Sequence, residues 1–199
     1  MIDSLYLGPE YDLSHIEGDT VNTMYVARLL EERNVVAIFQ GRSEAGPRAL
    51  GNRSILYDPR DPDGKDRINI IKRRESFRPF AGSVLLPHVH DWFDMGGLDE
   101  SPFMMYAVDA LPHTYDKIPA ILHVDYTCRV QTVGLKDNTN YYQLIDSFYQ
   151  LTDVPILFNT SFNLSGEPLV ETPEDAIECF ECSDIDYLYF PEVQKLRGK

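Results

Sequence analysis

Gly41-Arg42-Ser43-Glu44-Ala45-Gly46-Pro47-Arg48-Ala49-Leu50-Gly51-Asn52-Arg53-Ser54 is the stretch on which the reading of the fold turns. An apolar run over 35–39 reads as a short buried strand and empties directly into it. A glycine-rich loop bearing arginines therefore begins where a strand ends, and ligands of open α/β sheets collect at such carboxyl ends. The three glycines permit positive φ and close backbone approach. Exposed amides together with Arg42, Arg48 and Arg53 would make a phosphate cradle. Composition alone leaves a solvated loop with surface ion pairs as an equal alternative.

The charge pattern extends outward from this loop. Ten of the 18 basic residues lie within 42–78 against six acids, a local balance of ten minus six, or +4, in a chain of net charge −14. These cations alternate with Gly, Pro and aromatic residues, as in Phe77-Arg78-Pro79-Phe80, so they cannot all face bulk water. The guanidinium fork matches phosphate and carboxylate geometry, and convergence on a small anion is the reading we draw. The overall acidity argues against a nucleic-acid surface covering the molecule.

Hydrophobic content of 43% over 199 residues is enough for one large domain. No apolar run approaches the ~18 residues of a membrane span. Met1-Ile2-Asp3-Ser4 lacks the basic and apolar regions of a signal peptide. Three cysteines form no disulfide framework, so a reducing, cytoplasmic setting is expected.

Helices are predicted over 21–32 (opened by Asp19-Thr20), 66–74, 138–151 and from Thr172-Pro173-Glu174-Asp175, where Thr is the N-cap, Pro the first position and acids fill the first turn. Strands are predicted over 35–39, 83–86, 103–108, 120–124, 154–158 and 186–190, with 56–65 and 88–102 as irregular segments and a frayed tail over 194–199. The mixture implies a single-domain α/β fold around a mixed sheet.

Four constellations carry chemistry. The first is the quoted loop. The second is Lys72-Arg73-Arg74-Glu75-Ser76-Phe77-Arg78-Pro79-Phe80, in which Phe77 and Phe80 should draw Arg78 inward, with Glu75 as its alternative ion-pair partner. The third is His123-Val124-Asp125-Tyr126-Thr127-Cys128-Arg129-Val130-Gln131, where alternation puts Asp125 and Arg129 on one side, either as an ion pair or as a charge-tuned site. The fourth is Asn159-Thr160-Ser161-Phe162-Asn163, suited to hydrogen-bonding a phosphate or a carboxamide, or to closing a tight turn. Cys179-Phe180-Glu181-Cys182 falls in a helix without a second CxxC, which argues against zinc.

Read in order, the four blocks resemble the C-terminal domain of the O-carbamoyltransferase family of nodulation-factor, cephamycin and aminoglycoside carbamoylation. The likeness runs from Tyr6-Leu7-Gly8-Pro9 through Asn159 to Asp175. It implies a YrdC-like α/β fold with a twisted, open mixed sheet and flanking helices. It also implies binding of carbamoyl phosphate and ATP, with Mg²⁺, to form carbamoyl-adenylate for transfer to a hydroxyl acceptor. By the same resemblance Arg48, Lys72 and Arg78 are the catalytic positions. Arg42, Arg53, Arg129, Ser161 and Asn163 contact substrate, and Thr160, Ser161 and Asn163 lie beside the nucleotide. The family's metal belongs to an actin-like N-terminal domain that these 199 residues lack. The chain is expected to be that enzyme's C-terminal part, partnered in cis or in trans, and no metal site is assigned within it. Gly82, Tyr126 and Cys128 depart from the family pattern, and Tyr126 is expected to narrow the pocket beside Arg129. The alternatives are a nucleotide- or anion-binding module without catalysis, or a YrdC-like tRNA-binding protein.

Overall fold

The computed structural model describes residues 6–199; the reading of Met1–Ser4 lies outside them. Ten strands form one mixed sheet: β1 Asp19–Thr20, β2 Val36–Phe39, β3 Arg53–Tyr57, β4 Ala81–Leu85, β5 Phe93–Asp94, β6 Ala107–Ala110, β7 Thr127–Val133, β8 Ile156–Ser161, β9 Tyr187–Phe190 and β10 Lys195–Gly198. Their order across the sheet is β1-β10-β9-β2-β3-β8-β4-β7-β6-β5. Among the described residues only β2–β9 and β4–β7 pair in parallel. The helices are α1 Thr23–Glu31, α2 Gly64–Ile71, α3 Val89–Trp92, α4 Thr139–Thr152 and α5 Pro173–Glu181. The expected single-domain α/β class with an open mixed sheet is what the chain adopts.

The central strands are buried along their whole length. Every residue of β2, β3 and β4 is inaccessible to solvent or nearly so, as befits strands covered on both faces. Helices α1 and α4 pack on each other, α4 lies on β4 and β8, and α5 lies on β2 and β9. Leu144, Ile145 and Phe148 supply α4's apolar face, as its spacing predicts. Thr172 caps α5, and Asp175 returns the bond to the Thr172 amide, completing a capping box.

Several boundaries differ from the sequence reading, each for a local reason. Asn22, not Asp19-Thr20, caps α1, its Oδ1 accepting from the Tyr25 amide, and Asp19-Thr20 is a strand. Strand β3 lies partly inside the segment read as loop; its first two residues, Arg53 and Ser54, are polar yet fully buried, which hid its strand character. Helix α2 ends at Ile71 because Arg73 adopts φ 54° and reverses the chain. The predicted 120–124 strand is a 3₁₀ turn at Pro119–Ile121, and the 103–108 strand is displaced to Ala107–Ala110 beyond Met104 at φ 57°. The irregular 88–102 segment contains α3 and β5. The tail is not frayed: Lys195–Gly198 pairs with β9 and β1 and buries Leu196.

Candidate functional site

Strand register sets one row of side chains across three strands. Asn159 of β8 lies opposite Ala81 of β4, and Ala81 lies opposite Arg129 of β7. The loop preceding β3 brings Pro47, Arg48 and Ala49 over this row, and the chain beyond α2 brings Arg74, Pro79 and Phe80. Together with Thr160, Ser161 and Met104 these residues enclose a solvent-open cavity of about 120 Å³.

Arg48, Arg74 and Arg129 line this cavity, and no Asp or Glu among the described residues does. None of the three forms an ion pair among the described residues. Burial lowers the pKa of Arg48, and the charge of Arg129 lowers it further. Burial likewise pushes Arg74 down to about 10, with Arg78 acting in the same direction and Glu75 against it. Arg74 is held by its Nε donating to Asn69 Oδ1 at 2.6 Å and by its guanidinium lying 4.2 Å from the Phe80 ring centre. Like charges held together without a counter-ion form a site for an anion.

The loop carrying Arg48 is held by a buried carboxylate. Glu44 Oε1 accepts from the amides of Leu50 at 2.7 Å and Asn52 at 2.8 Å, and more weakly from Arg53. Burial raises its pKa while these amides oppose the rise. Behind the row lies a buried polar network. Asn159 Nδ2 donates to Ala49 O, Ser83 Oγ and Gln131 Oε1, Ser83 Oγ donates to Gln131 Oε1, and Gln131 Nε2 donates to Leu50 O. Three strands and the arginine loop are thereby joined.

Of the residues expected at the site, Arg48, Arg129, Thr160 and Ser161 line this cavity. Lys72 stands behind it: its Nζ donates to Ser161 O, Ser161 Oγ, Asn163 O and Asn163 Oδ1 at 2.6–3.4 Å. Ser161 Oγ in turn donates to Asn163 Oδ1 at 2.7 Å. Lys72 therefore fixes the Ser161–Asn163 turn rather than pointing at a ligand. Burial pushes its pKa down to about 7, with Arg74 adding to the effect.

The remaining expectations are corrected. Arg53 is a core residue, not a ligand-facing one. Its Nη1 donates to Gln40 O, Gly41 O and Asn52 O, its Nη2 to Glu171 O, and its guanidinium stacks 3.6 Å from the Phe39 ring centre. Arg42 donates to Gly8 O and lines a different surface depression with Tyr11 and Glu192. Arg78 is not drawn inward: Phe77 is 75% exposed, and Arg78 pairs with Glu75 at 3.5 Å. Asp125 does not pair with Arg129; it accepts from the Thr127 amide and hydroxyl. Tyr126, at φ 63°, stacks on Tyr115 with ring centres 4.3 Å apart and stays out of the cavity wall. Alternation does not extend to Val124, which is almost fully exposed because β7 begins only at Thr127. Sequence reasoning missed Arg74 and Asn159 as site residues. A helix predicted through 74 turns Arg74 away from the face of Ile68 and Ile71, and the reading of 159–163 as a polar cluster gives Asn159 no role of its own.

Comparison with known proteins agrees with this architecture. The chain belongs to the carbamoyltransferase C-terminal family, whose model, described as carbamoyltransferase C-terminus, matches residues 27–195. It is 48% identical to nodulation protein NolO of Bradyrhizobium diazoefficiens over 77% of this chain and 28% of that protein. It is 43% identical to protein sll1178 of Synechocystis over 92% of this chain and 35% of that one. The chain thus spans about a third of the length of such relatives. A full-length HypF solved in its phosphate- and nucleotide-bound form superposes with a TM-score of 0.57 at 18% identity, over 84% of this chain and 27% of that one. Sua5 of P. abyssi does so with 0.53 at 13% identity, over 85% of this chain and 52% of that one. The fold is the YrdC-like one that the sequence resembles. No helix among the described residues is long and apolar enough to cross a membrane.

Proposed function

We propose that this chain is the carbamoyl-activating domain of an O-carbamoyltransferase. It takes carbamoyl phosphate and ATP and produces carbamoyl-adenylate, which an actin-like N-terminal domain, in cis or in trans, passes to a hydroxyl acceptor. The observation that carries this reading is the convergence of Arg48, Arg74 and Arg129 on a cavity that no carboxylate residue among the described residues lines. Family membership supplies the reaction class.

Water opens carbamoyl phosphate to carbamate and phosphate. A carbamate oxygen then bonds to the α-phosphorus of ATP as the bond to pyrophosphate breaks. Both steps concentrate negative charge on phosphoryl oxygens, and preorganised guanidiniums stabilise it without reorganising. Arg48, Arg74 and Arg129 fill that role, while Thr160 and Ser161 offer hydroxyls at the cavity edge. Lys72 holds Ser161 and Asn163 in place. A volume of about 120 Å³ suits carbamoyl phosphate, leaving the adenosine to lie outside. Among the described residues the wall offers no carboxylate, so Mg²⁺ would be carried by the nucleotide's phosphates and water. The free cysteines Cys128, Cys179 and Cys182 accord with a reducing, cytoplasmic setting.

Pyrophosphate release from ATP is the test. It should depend on carbamoyl phosphate and be lost in Arg48→Ala and Arg129→Ala. Saturable binding of both substrates without release would leave an anion-binding module instead, and absence of binding would overturn the reading.

A further inference from the structure

Five buried side-chain polar atoms lack a hydrogen-bond partner among the described residues, and two of them belong to residues of this cavity wall: Asn159 Oδ1 and Arg74 Nη2. One is an acceptor and the other a donor. A buried polar atom without a partner destabilises the fold, so a matched pair of them in residues of one wall calls for an explanation.

The direction of the Asn159 amide is decided by its neighbours. Gln131 Nε2 must face Leu50 O, because a backbone carbonyl only accepts, which leaves Gln131 Oε1 to receive Ser83 Oγ and Asn159 Nδ2. Asn159 Nδ2 likewise faces Ala49 O. The opposite flip would set Oδ1 against a carbonyl oxygen and a carboxamide oxygen. Asn159, a residue of the cavity wall that is 1% exposed, therefore keeps an unused acceptor. A cavity that served only to hold a phosphate dianion would need donors; an acceptor oxygen among its walls repels such a ligand.

A primary carboxamide is the group that complements both atoms: its NH₂ donates and its carbonyl oxygen accepts. We infer that Asn159 is a specificity-determining residue that reads the NH₂ of a carbamoyl group, with Arg74 Nη2 reading the adjoining carbonyl oxygen. Arg48 and Arg129 are left to the phosphoryl group. This inference rests on the proposed reading of the cavity as the carbamoyl phosphate site. It adds the means by which the site tells a carbamoyl ligand from an acyl one of the same shape and charge.

Two stable phosphonates separate the claims. Phosphonoacetamide and 2-oxopropylphosphonate differ by NH₂ against CH₃. Titration calorimetry on the full chain should show the amide bound on the order of tenfold or more tightly. In Asn159→Val that ratio should fall to near one. Equal binding of the two by the wild-type chain, or an undiminished ratio in the variant, overturns the role of Asn159 while the cavity remains an anion site. Failure of both compounds to bind overturns the cavity reading itself. The wild-type ratio needs no substitution, so the test survives a variant that does not fold.

Discussion

Arg48 and Arg129 share one cavity, and the charge of Arg129 adds to burial in lowering the pKa of Arg48. Two cations so placed repel each other until an anion arrives. Arg129→Ala should therefore leave the ligand-free melting temperature equal or higher, yet weaken phosphate binding about 10–100-fold. Differential scanning fluorimetry with and without phosphate reads both effects, and a fall in ligand-free stability would contradict the arrangement.

Lys72 should make anion binding depend on pH. Its folded pKa of about 7 lies below the ordinary lysine value of 10.5, so between those limits the unfolded chain binds the extra proton. Stability from this group rises as pH climbs from about 7 to 10.5 and is absent below 7. An anion in the neighbouring cavity favours the ammonium, so sulfate affinity should fall as pH rises above 7. Sulfate is the probe because it does not itself titrate there. Calorimetric titrations from pH 6 to 9 would show the decline in the wild type and a flatter profile in Lys72→Met.

Arg53 should behave as a core residue. Removing its donors from Gln40 O, Gly41 O, Asn52 O and Glu171 O in Arg53→Met is expected to cost about 2–4 kcal/mol in urea denaturation. At temperatures where the variant stays folded, its sulfate affinity should lie within about threefold of the wild type. A large affinity loss with intact stability would return Arg53 to the site.

Deleting residues 195–199 removes strand β10, exposes the flank of β9 and strips the buried Leu196 from the core. A stability loss of at least ~2 kcal/mol is expected from the apolar burial alone. Limited proteolysis should cleave the shortened chain faster than the full one.

Element type was legible wherever local chemistry and burial agreed. The Thr172 cap, the α4 face and the apolar strand β2 are of this kind, since each needs only neighbours in sequence. The reading failed where a distant partner decides. Arg53 looks like a surface cation until the carbonyls of Gln40 and Glu171 surround it, and β3 was lost with it. Glu44 counted merely as an acid, although three amides of its own loop close on one oxygen. The resemblance names segments that the fold brings to this cavity, but a left-handed residue at Arg73 decides that Arg74, rather than Arg78, turns back to the sheet.

Both outer strands of the sheet, Asp19–Thr20 and Phe93–Asp94, are two residues long. An edge of that length exposes too few amides and carbonyls to recruit a strand from another polypeptide. Edges this short among the described residues disfavour association by sheet extension. A further domain is then better met through loops or helix faces, and the loops around Arg48, Arg74 and Met104 are among those that line the cavity.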